Sequence, residues 1–223
     1  MTPASKINSF LKSEREPFNL TFEKVLLTYL VGGLIGTIWE MTLELFRKHQ
    51  FLVRSGSFFT PFNPVYGFGL VLILLCLNKV KKNYSLFLYG CLLGGGAEYL
   101  LSFLQEKLLG SKSWDYTGKF LNINGRTTIV FCVFWGFAAF LIIRFFFPIL
   151  FNLLDRVDPN LLRVIAIVGT FVIVVDLFMT SFGLLRYTQR LNNIPPKTLI
   201  GVFIDNFLPD KIVEYFFSNM KPV

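Results

Sequence analysis

The chain has 223 residues, of which 53% are hydrophobic and only 16% charged, against about 25% charged in an ordinary soluble domain. So few charges cannot coat a water-facing surface, and so much hydrophobicity is incompatible with disorder, which leaves a multi-span membrane protein. Lys and Arg number 22 against 14 Asp and Glu, a net +8, but they sit between apolar runs, where they set topology and meet anionic headgroups; no basic patch with interleaved aromatics points to nucleic acid.

Residues 1–21 are polar, with Ile7, Phe10 and Leu11 at helical spacing, and read as an N-terminal interfacial segment. They contain no apolar core or cleavage site of a signal peptide, so the first span is expected to act as the targeting signal. A membrane domain over 22–150 follows. Its first span runs from about Val25 to Phe46, and a polar loop, Arg47 to Asn63, leads to a second apolar run, Val65 to Leu77. That run has only 13 residues; it crosses a bilayer only with its flanks included or with shelter from protein. After the basic turn of Lys79, Lys81 and Lys82 come a third span (Tyr84 to about Leu104), a second polar loop (Gln105 to Arg126) and a fourth span (Thr128 to about Ile143) that runs into a Phe-rich stretch broken by Pro148. Residues 151–190 hold the fifth span, Leu161 to Leu185. Residues 191–223 form a C-terminal amphipathic tail, with a helix expected over Asp210 to Asn219 that gathers Ile212, Val213, Phe216 and Phe217 on one side. The expected fold is all-α, a polytopic bundle of about five transmembrane helices with two structured polar loops. The Lys79–Lys82 turn is the densest short basic loop, which places the N-terminus inside the cell membrane.

Gly32, Gly36, Glu40 and Glu44 lie four apart, and Gly90, Gly94, Glu98 and Ser102 repeat the spacing 58 residues later. Gly67 and Gly125 keep that offset, and Asn63 and Asn122 keep it within one. The unit of span, polar loop and span is therefore read twice, as about 22–80 and 81–150, a parallel internal repeat. Residues four apart stack on one helical face. Gly-x-x-x-Gly permits close helix packing in lipid, whereas a carboxylate at that depth costs several kcal/mol unless it faces protein or a wet cavity. The four glycines are accordingly packing candidates, and Glu40 and Glu98 are substrate-path candidates. Asp176, midway along the fifth span with Thr180 one turn on, is a third intramembrane acid; a polar clamp is its alternative role. Cys76, Cys91 and Cys132 lie in apolar runs and His49 stands alone, so neither a metal site nor any cofactor is expected.

Both loops are dense in aromatic and polar residues. Residues 54–69 read RSGSFFTPFNPVYGFG, stiffened by Pro61 and Pro64, with Arg54, Asn63 and Tyr66 as candidate functional groups. Residues 114–126 read WDYTGKFLNINGR, in which Trp114, Asp115, Asn122, Asn124 and Arg126 supply convergent polar atoms. Arg126 is expected to reach Glu98 or Asp115, and Arg54 to reach Glu40 or Glu44.

The first string resembles the RGFLYGPxxPIYGFG pattern, and the second, together with Trp135 and Gly136, resembles the WDYS…NxxGR…WG signature, of a bacterial membrane family known as CmpB-like ABC-transporter type IV permeases; Glu40 and Glu98 match its acidic positions. The resemblance spans roughly Gly32 to Gly136. Thr60 replaces a usual Gly and Asn63 a common Cys. The resemblance implies a membrane location and a permease role without naming a substrate. These 223 residues contain no Walker A motif, so ATP hydrolysis would need a separate ATPase. Three functions compete: a transport subunit, using a separate ATPase or an ion gradient; a non-catalytic scaffold or accessory subunit; and a membrane-embedded enzyme acting on a lipid or peptide, disfavoured because no nucleophile triad or HExxH motif occurs. Expected partners are membrane lipids, an ATPase or other membrane subunits, or a second copy of the chain.

Overall fold

The structure, a computed structural model, describes residues 13–49, 53–112, 114–217 and 221–222. The helices are α1 (Phe22–Lys48), α2 (Pro64–Leu77), α3 (Asn83–Leu109), α4 (Ile129–Leu154), α5 (Pro159–Leu191), α6 (Leu199–Phe207) and α7 (Asp210–Phe216). Four of them, α1, α3, α4 and α5, are long and apolar enough to cross a bilayer. The fifth expected span is the 14-residue α2, only about 21 Å long at 1.5 Å per residue. Side chains at the boundaries set five of the starts. Thr21, Thr128 and Thr198 each accept a backbone N–H of the first turn, and Asn63 and Asp158 do the same ahead of Pro64 and Pro159 at the first helical position.

Pro148 does not break α4 as expected. The helix widens through a π-helical turn, Ile142–Phe146, in which Phe147 N–H bonds to Ile142 O. Proline has no N–H to donate and its ring crowds the carbonyl four residues back; the extra residue in the preceding turn lets the helix continue past it. At the C-terminus, the expected helix is the shorter α7, joined by an unforeseen α6. Ile7, Phe10 and Leu11 lie outside the described residues.

The chain divides into two compact units. One comprises Met1–Val25, Val71–Leu101 and Trp114–Arg163. Its core is built from Leu74, Leu86, Ile143 and Phe147, all fully buried. α3 packs on α4 through small residues: a Cβ on Gly90 would lie 2.6 Å from Ala139 Cβ, Gly94 abuts Trp135, and Gly136 abuts Phe87. The segment before α1 packs its Phe18 ring edge-on against Phe147 and Phe151.

The other unit comprises Leu26–Leu70, Ser102–Ser113 and Val164–Val223. Here α1 packs on α2 in the same manner. A Cβ on Gly32 would meet Leu70 at 2.9 Å, Gly36 abuts Tyr66, and a Cβ on Gly67 would meet Tyr29 at 2.8 Å. Each α1–α2 contact thus has an α3–α4 counterpart, 58 residues on in the first helix and 69 in the second. Gly67 therefore corresponds to Gly136. Gly125, which shares its 58-residue offset, instead occupies a left-handed turn (φ +69°) outside any helix.

Candidate functional site

The first loop folds back along α1 rather than projecting from it. Arg54 donates to Glu44 at 2.6 Å, Thr37 Oγ1 donates to Pro61 O at 2.7 Å, and Asn63 N–H bonds to Gly33 O at 3.0 Å. The loop so descends from Glu44 to Gly33, and α2 begins beside the middle of α1. Both members of the Arg54–Glu44 pair are buried, at 9% and 5% side-chain exposure. Of the two acids proposed for Arg54, the structure selects Glu44.

On the opposite flank the loop is held by α5. Asp176, buried, accepts from Phe59 N–H at 3.3 Å and from the hydroxyls of Thr60 and Thr180, and Thr180 also accepts Phe58 N–H. Thr60, which departs from the resembled pattern, therefore ties the loop to Asp176 together with the Phe59 N–H. Phe58 fills a buried cluster with Tyr187, Leu208 and Val213, its ring 5.8 and 5.2 Å from those of Phe216 and Phe217. The amphipathic face foreseen for the tail thus packs on the loop: Val213 is fully buried, and only Ile212 of the four named residues is exposed.

Glu40 lies one turn beyond Gly36, where its Oε1 accepts the Tyr66 hydroxyl at 2.6 Å. In the other unit Glu98 takes a matching part: Oε1 accepts from Tyr116 Oη at 2.9 Å and Oε2 from Thr127 Oγ1 at 2.6 Å. Burial, and then the hydrogen bond to Glu98, raise the Tyr116 phenol above its usual range, so it stays protonated and remains a donor. Of the two acids expected for Arg126, Glu98 or Asp115, Glu98 is met by these hydroxyls instead. Arg126 sits in the turn of a small hairpin, Asn122–Ile123 against Thr127–Thr128, with its guanidinium 5.8 Å from the Tyr99 ring centre. Among the described residues, no ion pair involves Glu40, Glu98 or Asp176.

The remaining candidates of the second loop organise the loop itself. Trp114 Nε1 donates to Arg126 O at 2.9 Å, Asp115 accepts Thr117 N–H at 2.8 Å, Asn122 accepts Gly125 N–H at 3.0 Å, and Asn124 donates to Tyr99 Oη at 3.0 Å. Asn63, buried, caps α2 through Val65 N–H. Sequence reading had not singled out Thr37, Tyr116 or Thr127, and had noted Thr60 only as a departure from the resembled pattern. Hydroxyls are frequent in loops, and only the positions of Glu40, Glu98 and Asp176 make these four recognisable as donors or tethers.

Glu40 on α1 and Asp176 on α5 in one unit, and Glu98 on α3 in the other, are each met by neutral hydroxyl or backbone donors. Such groups can meet a cation without first breaking an ion pair. A family model described as "Putative ABC-transporter type IV" matches residues 27–181. No curated protein and no solved structure matches the chain.

Proposed function

The chain belongs to the family described as "Putative ABC-transporter type IV", and we propose on that premise that it is an integral membrane subunit of a transport system. Its energy comes from a separate ATPase or an ion gradient, and it resides in the cell membrane with its N-terminus inside. The observation that carries this reading is an extended loop folded back along α1 and followed by a half-length apolar helix. Irregular backbone is tolerated at membrane depth only where protein or water satisfies it, and transporters place their sites at such broken elements. In this reading the α1–α2 and α3–α4 pairs are copies of one unit, and Glu40 and Asp176 in one unit and Glu98 in the other are each candidate groups for a substrate or coupling ion. Arg54, Asn63, Trp114, Asp115, Asn122, Asn124 and Arg126 shape the two loops.

The test is isolation of the tagged chain from native membranes in mild detergent. The expected result is a stoichiometric complex whose ATP hydrolysis falls when Glu40→Gln or Glu98→Gln is introduced, with the complex intact. Stoichiometric capture by an enzyme without ATPase activity would favour the scaffold reading. Turnover of a lipid by the purified chain alone would favour the enzyme reading.

A further inference from the structure

We propose that Arg15 and Arg144 form a binding site for a phosphate group, at the end of the first unit where the segment before α1, the α2–α3 turn and the π-helical turn of α4 come together. Arg144 lies in that π turn and donates through Nη2 to Ser13 Oγ at 2.6 Å, the same atom that Asn83 Nδ2 reaches at 3.1 Å. Arg15, two residues from Ser13, donates to the Asn78 and Glu16 carbonyls, and its Nε is buried without a hydrogen-bond partner. Burial, and then the charge of Arg144, lower the Arg15 guanidinium from its ordinary value, as expected of two cations that repel each other in a sheltered place.

No carboxylate pairs with either arginine among the described residues. Lys24 takes Asp155 at 2.8 Å and Arg163 takes Glu23 at 3.8 Å, while Glu14 and Glu16 beside Arg15 are exposed and enter no ion pair. The twelve residues ahead of Ser13 contain no Asp or Glu. Lys79, Lys81 and Lys82 extend the positive field from the adjoining turn. Two guanidiniums with spare donors and no acid suit a phosphate, whose oxygens accept forked N–H pairs. A π turn is a common way of aiming a functional side chain. Both an anionic phospholipid headgroup and free phosphate carry this chemistry. The site does not depend on the transport reading.

The test uses full-length, delipidated protein in detergent, titrated with short-chain phosphatidylglycerol, short-chain phosphatidylcholine or inorganic phosphate. Thermal shift reads affinity and native mass spectrometry reads stoichiometry. One phosphatidylglycerol per chain is expected, bound at least tenfold more tightly than phosphatidylcholine. Arg144→Gln should weaken it about tenfold or more, Arg15→Gln should weaken it comparably, and Arg144→Lys should weaken it less. Inorganic phosphate binding as tightly, with the same dependence on the arginines, supports the site and assigns it to the free anion. An equal loss in Lys81→Gln would mean diffuse surface charge and overturn the site. So would parent-like binding in Arg144→Gln, or failure of the parent to bind either ligand. If Arg15→Gln does not fold, the parent and the two Arg144 variants decide.

Discussion

Arg54 and Glu44 are ten residues apart in sequence, yet both are buried and joined at 2.6 Å. Removing one member of a buried pair leaves an uncompensated charge, so Arg54→Gln or Glu44→Gln is expected to lower stability by about 3–5 kcal/mol. Their double variant should recover part of that loss in a denaturant titration of the purified protein. Asp176 holds the same loop from the other side. Asp176→Ala removes acceptors from two hydroxyls and one backbone N–H and should cost about 3 kcal/mol, since hydrogen bonds to charged groups contribute about 1.5–3 kcal/mol each and part is recovered by rearrangement. The sharper readout is local: Ser57 is 1% exposed, so a Ser57→Cys thiol should resist labelling in the parent and react in the Asp176→Ala background. These roles were partly legible in the sequence. A carboxylate in the middle of an apolar run announces a partner, but its identity depends on where a loop more than a hundred residues away is folded, and no local pattern records that. Arg126 shows the same limit. Its motif was recognisable, but the hairpin turn that carries it toward Tyr99 was not.

Helix-level features follow sequence closely where periodicity is long, and fail where a short element depends on its neighbours. Of the five spans expected from apolar runs, four are long enough to cross and the fifth is the short α2. The folded-back course of the first loop and the π turn were not visible, because the first depends on α5 and the second on how α4 accommodates Pro148. The glycine contacts separate substitutions that look alike on paper. Gly36→Ala and Gly94→Ala drive a Cβ into the base of Tyr66 and Trp135 and should destabilise their helix pairs. Gly96→Ala, with nothing within 4 Å, should be neutral or stabilise by up to about 1 kcal/mol through helix propensity. Thermal melts of the three variants side by side would show it. The C-terminal helices add a pH-dependent contact. Arg186 and Arg190 grip Asp205 at the end of α5, and the hydrogen bond from Arg186, then that from Arg190, outweigh burial and hold the Asp205 carboxyl below its ordinary value. A depressed folded-state pKa stabilises above the unfolded value and is lost as pH falls through the folded one. The α6–α5 contact should therefore hold at neutral pH and loosen below about pH 4, seen as faster hydrogen exchange across 199–216 while α5 stays protected.

For the molecule as a whole, the decisive element is α2. If it crosses together with its folded-back loop, the chain makes five passages and its ends lie on opposite sides; with four passages they would share a side. Reporter fusions at the two ends are expected to report opposite compartments, the N-terminal one inside. The loop also orders events during synthesis. Its Phe58 and Phe59 amides and its Thr60 hydroxyl are satisfied by Asp176 and Thr180, which leave the ribosome more than a hundred residues later. Until α5 inserts, the nascent chain carries a polar segment without its partners, so the first helix pair cannot mature alone, and a chain halted after Val157 should present Ser57 to solvent. Closure of this loop thus depends on insertion of α5, and a quality-control protease that recognises the open loop would read whether α5 had been made and inserted.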